Sequence, residues 1–90
     1  MFFLEDHIKD KNKMNIFNVV LEGKDFNKFY FISYDVYSET KDEAIFIAKN
    51  QAKKKKLNII NVEEAQLIKG NINCKKMKIK KEYGKVFFDS

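Results

Sequence analysis

Apolar positions along this chain keep one spacing for a stretch and then switch to another, and each switch marks an element. From Met14 to Glu22 they alternate, with Phe17, Val19 and Leu21 on one side of an extended chain, which predicts a strand over residues 14–22. Glu22-Gly23-Lys24-Asp25-Phe26-Asn27 carries turn chemistry. Alternation resumes over residues 28–38. Tyr30, Ile32, Tyr34 and Val36 share one face of this second strand, and Phe29, Phe31, Ser33, Asp35 and Tyr37 share the other. A tight antiparallel hairpin is the economical pairing of the two.

The spacing then lengthens to that of a helix. Thr40 stands at the N-cap with Glu43 three residues on, the sequence of a capping box, and Asp42 and Glu43 place acids against the positive end of the helix dipole. Ala44, Ile45, Ala48 and Ala52 recur on one side, and the lysines from Lys53 to Lys56 suit the negative end. The predicted helix ends near Lys55 or Lys56. A β-branched run (Ile59, Ile60, Val62) predicts a strand over residues 57–69, and Lys69-Gly70-Asn71 marks a turn. Residues 74–82 alternate again, with Met77 and Ile79 inward and Lys76, Lys78 and Lys80 outward. Glu82-Tyr83-Gly84-Lys85 reads as a hairpin turn into a last short strand, Val86-Phe87-Phe88. The fold class that follows is α+β, with a single helix on one face of a mostly antiparallel sheet, in the order β-β-α-β-β-β. Residues 1–13 read as an N-terminal extension, where Phe2, Phe3, Leu4 and Ile8 precede a solvated lysine-rich run. Residues 14–90 read as one domain.

Composition narrows the function. The chain has 90 residues, enough for one modest core, and 44% of them are apolar, too many for a disordered chain. No apolar run approaches the roughly 20 residues that span a bilayer, and the first residues lack a signal-peptide pattern. A cytoplasmic protein with no membrane association is the expectation. Net charge is +5, and all 18 basic residues are lysine. Heavy use of Lys, Asn, Ile and Phe is also what an AT-rich coding sequence produces. Without arginine there is no planar fork for bidentate recognition of guanine or phosphate, so lysines would attract polyanions without reading sequence.

Catalytic chemistry finds little material. Cys74 and His7 each stand alone, so no disulfide, thiolate metal cluster or Cys–His pair is expected, and a single cysteine in a strand is usually a small core residue. Glu63 and Glu64 are adjacent on a strand and point to opposite faces unless a bulge intervenes. There is no phosphate-cradling glycine loop and no nucleophile elbow. No enzyme, cofactor or metal is expected.

Binding surfaces are better supplied. Phe46, Lys49, Asn50 and Lys53 lie at i, i+3, i+4 and i+7 on the helix side opposite the alanines, where an aromatic among lysines suits an interface, unless Phe2, Phe3 or Ile8 covers it. Lys54 extends this row at the helix end, and Lys76, Lys78 and Lys80 would line a strand. These groups either form one basic surface for a polyanion or an acidic protein, or serve as a helix cap and a guarded sheet edge. The second strand is apolar on both faces. One helix covers one face only, so Phe29, Phe31 and Tyr37 await the N-terminal segment, a homodimer partner or a target.

Two stretches, Ser38-Glu39-Thr40-Lys41-Asp42-Glu43-Ala44 through Ala48 and Lys81-Glu82-Tyr83-Gly84-Lys85-Val86-Phe87-Phe88-Asp89, resemble small phage-encoded anti-CRISPR proteins, some of which share a ββαβββ arrangement and a lysine-bearing surface. The resemblance implies a non-enzymatic inhibitor, acting in the cytoplasm of a bacterial host, that occupies a nucleoprotein surface and blocks engagement of DNA or RNA. Many such inhibitors are acidic mimics of nucleic acid. A basic one would instead meet an acidic patch on its target or touch nucleic acid itself. A sequence-tolerant nucleic-acid-binding protein is the alternative, followed by a toxin-immunity protein or a homodimeric domain.

Overall fold

The computed structural model describes residues 13–88. Five strands and one helix follow in the order β1 (Lys13–Asp25), β2 (Lys28–Ser38), α1 (Lys41–Lys54), β3 (Ile59–Asn73), β4 (Lys78–Glu82) and β5 (Val86–Phe88). The expected α+β class is the one found. The sheet runs β3-β1-β2-β4, with β5 also on β2, and every strand pairing is antiparallel. The extension expected over residues 1–13 lies outside the described residues except for Lys13, which pairs with Asn73 and belongs to β1.

The hairpin is longer and tighter than the turn signals suggest. Asp25 pairs with Lys28, so Phe26 and Asn27 alone make the turn, and Gly23 lies inside β1 opposite Tyr30. This register sets Phe17, Val19 and Leu21 beside Val36, Tyr34 and Ile32 on one face, where all six are buried.

β2 and β3 both run antiparallel to β1, so α1 must carry the chain across β1 to join them. That path lays the helix flat on the sheet, and the alanine stripe permits the close approach. Ala44, Ala48 and Ala52 are fully buried against the strand core. Thr40 caps the helix as expected, its Oγ1 accepting from the Glu43 amide (3.2 Å) and donating to the Glu43 carboxylate (3.1 Å). The other end closes as a Schellman motif: the amides of Lys56 and Leu57 donate to the carbonyls of Lys53 (2.9 Å) and Ala52 (3.0 Å). Lys56 takes the left-handed position there, with φ 60°.

β3 departs most from its sequence pattern. It runs through Gly70 and Asn71, where a turn was expected, and its register against β1 slips at four places. Ile59, Val62, Ala65 and Leu67 therefore stand opposite Gly23, Leu21, Val19 and Phe17, at spacings of three, three and two. Each slip gives β3 one residue more than the facing stretch of β1, which is why strict alternation is absent. One of them falls at Glu63, so the bulge that strict alternation would forbid is present, and both Glu63 and Glu64 are exposed.

The C-terminal strands are not a hairpin with each other. β4 pairs with residues 34–37 of β2 and β5 with residues 29–31, so they lie end to end along one edge. The Tyr83 amide donates to the Ser33 carbonyl (2.9 Å) and keeps the connector on the ladder.

Candidate binding surfaces

The helix presents its outer row as the sequence predicts. Phe46 is 65% exposed at its centre, with Lys49, Asn50, Lys53 and Lys54 also exposed. Asn50 and Lys54 turn toward β4, where they line a groove together with Ile47, Met77, Lys78 and Ile79. The groove thus joins an apolar lining to Lys54 on the helix side, while the Lys78 ammonium turns to Tyr37 on the other face. Phe2, Phe3 and Ile8, the alternative reading's cover for Phe46, lie outside the described residues.

Lys76, Lys78 and Lys80 do not form the expected row. β4 begins at Lys78, so Lys76 lies in the preceding bend, and Met77 is exposed where an inward position was expected. Pairing sets Lys78 opposite Tyr37 and Lys81 opposite Asp35, on the face away from the helix, while Lys80 falls at a register slip. Lys55 takes a different part: its ammonium pairs with the Glu82 carboxylate and ties the helix end to β4. Tyr34 and Glu82 are neighbours across β2 and β4. The Tyr34 hydroxyl and the second Glu82 oxygen are buried with no partner among the described residues. Burial, with the Glu82 charge second, pushes the Tyr34 phenol up to about 12.

The far face of the sheet is partly closed by the chain itself. Phe31 stacks on Phe88 with ring centroids 4.4 Å apart, and Phe29 lies 6.1 Å from the same ring. Tyr37 has the Lys78 ammonium 5.8 Å from its centroid. Phe29, Phe31 and Tyr37 are accordingly half-buried, and the Phe88 ring, beside Phe29 and Phe31 on the same face, shields part of what sequence reasoning left to another segment or molecule. At the centre of this face lies a polar cluster that the sequence reading missed. Asp35, only 6% exposed, accepts from Asn18 Nδ2 (2.9 Å) and from the Tyr83 hydroxyl (2.7 Å). Its hold on that proton raises the Tyr83 phenol above the usual range. The signal was available, because Asn18 and Asp35 face each other once the turn is placed at Phe26-Asn27.

Cys74 is half-buried between β3 and β4, not within a strand, and its thiol donates to the Lys76 carbonyl (3.2 Å). His7 lies outside the described residues. Among those residues no three His, Cys, Asp or Glu side chains gather to hold a metal, and no helix is long and apolar enough to cross a membrane. Comparison with family models, curated proteins and solved structures finds no match to this chain.

Proposed function

We propose that this chain is a small binding protein that docks on a larger protein or nucleoprotein complex and occludes it, in the manner of an anti-CRISPR inhibitor. The observation that carries this reading is the α1–β4 surface. Phe46 stands exposed among Lys49, Asn50 and Lys53, and beside it Ile47, Met77 and Ile79 share a groove with Lys54. An exposed aromatic with a ring of polar groups is the usual form of an interface anchor. The lysines select a partner surface of acidic character and steer the encounter. No chemistry on the chain is required for inhibition of this kind, since occupying the surface is sufficient.

The direct test is a purified CRISPR effector complex from a bacterial host, mixed with the chain and run on a sizing column, with cleavage of target DNA measured in parallel. Co-elution and lost cleavage are expected. Replacing Lys49, Lys53 and Lys54 together with Glu should abolish both. Co-elution that survives the triple charge reversal sinks this surface as the docking site.

A further inference from the structure

The turn between β1 and β2 spends stability on a side chain that contributes nothing to the fold. Phe26 adopts φ 57°, whereas Asn27, the residue type better suited to that conformation, does not. A left-handed backbone costs a β-carbon-bearing residue about 1–2 kcal/mol. The Phe26 ring is 92% exposed, so packing does not repay the strain. The two-residue turn itself demands a positive φ at this position, so what the fold leaves unexplained is a fully exposed aromatic there in place of glycine or asparagine, and that choice points to a contact outside the chain.

The surroundings indicate what kind of contact. Asp25, Phe26, Asn27, Lys28 and Phe87 line one open groove, and Phe87 is itself 50% exposed. Residues 24–30 and 83–88 supply Lys24, Lys28 and Lys85 against Asp25 alone, and Asp25 is already 3.6 Å from the Lys85 ammonium. Lys24 lies 5.5 Å from the Phe29 centroid and Lys85 lies 4.7 Å from that of Tyr30. Lys24 and Phe29 belong to the far face, so the face that carries Phe87 and Tyr30 offers Lys28 and Lys85 beside its rings. An apolar protein surface docked here would strip two lysines of water and offer them nothing. A nucleic-acid strand with unpaired bases offers a π face to each ring and a phosphate to each lysine.

We infer that this hairpin end is a stacking site for single-stranded nucleic acid, with a base lodged between Phe26 and Phe87 and phosphates near Lys28 and Lys85. Recognition is sequence-tolerant, because lysine lacks the fork that reads base edges. The surface is separate from the α1–β4 groove, and its test contains no protein partner, so each reading stands or falls alone.

Fluorescence anisotropy with labelled oligothymidine, oligouridine, an abasic strand of equal length and a duplex, at roughly 50 mM salt, reads this directly. Binding of either base-bearing strand, weaker binding of the abasic strand and the duplex, and a steep loss on adding salt are expected. Phe26→Gly should weaken the base-bearing strand roughly five- to a hundred-fold, the range for one aromatic–base stack, and leave the abasic strand unchanged. Glycine accepts the left-handed backbone without strain, so the melting temperature of the variant should not fall, which separates lost binding from lost folding. No binding at low salt, an undiminished Phe26→Gly variant, or an abasic strand bound as tightly as the thymidine strand each overturns the inference.

Discussion

Gly23 and Tyr30 face each other across β1 and β2, and the Tyr30 ring fills the space that a side chain at position 23 would need. A β-carbon built on Gly23 comes within 2.3 Å of the ring. Tyr30 is buried, with Phe87 packed edge-on 5.5 Å away, so the ring has little room to retreat. Gly23→Ala should therefore destabilise the chain by about 1–3 kcal/mol, the usual range for overpacking. Urea denaturation measures this, and the same substitution in a Tyr30→Ala background should cost less.

Lys56 holds the left-handed position of the Schellman motif, where glycine pays no steric penalty. Lys56→Gly should raise stability by about 1 kcal/mol, and Lys56→Val should lower it. Both are read as shifts of the denaturation midpoint at constant slope. A loss of stability in the glycine variant would mean that the Lys56 side chain contributes more than its backbone strain costs.

Asp35 satisfies two donors at once, so its removal leaves Asn18 and Tyr83 without their acceptor. Asp35→Ala should cost roughly 1–3 kcal/mol for the groups it orphans. Tyr83→Phe, which removes one donor and leaves the carboxylate its bond from Asn18, should cost less. A second readout isolates the hydrogen bond: in Asp35→Ala the Tyr83 phenol should titrate at lower pH than in the parent.

Alkaline pH probes Tyr34. Its folded-state value of about 12 lies above the ordinary 10, so the folded chain favours the neutral phenol. The corresponding stabilisation is fully present below pH 10 and is lost as pH rises from there through 12. Phenolate absorbance followed together with circular dichroism should show one tyrosine ionising late, as the fold opens. Tyr34→Phe removes a buried hydroxyl that has no partner among the described residues, so stability at neutral pH should hold or rise, and this late step should vanish.

Much of the fold was legible in the sequence wherever one face of an element is buried and its partner face is not. Phe17, Val19 and Leu21, the two faces of β2 and the alanine stripe of α1 were all read correctly from spacing alone. Glycine was the misleading sign. Gly23 and Gly70 read as turn markers, yet both lie inside strands, and among the described residues the left-handed positions belong to Phe26, Lys56 and Asn71. Gly23 is there to make room for a ring, a reason invisible until the register is known. β3 hid its length because each bulge breaks the alternation that identifies a strand. The helix row of the candidate surface was legible through its 3.6-residue spacing. The groove beside it depends on how β4 meets α1, which no local pattern encodes.

Both margins of the sheet are broken lines. On one side, β3 slips register four times along its length. On the other, the edge of β2 is shared between two short strands with a connector between them. A copy of the chain that approaches either side finds no long run of evenly spaced amides and carbonyls on which to lay a strand. Growth of the sheet from molecule to molecule is thereby obstructed at both ends.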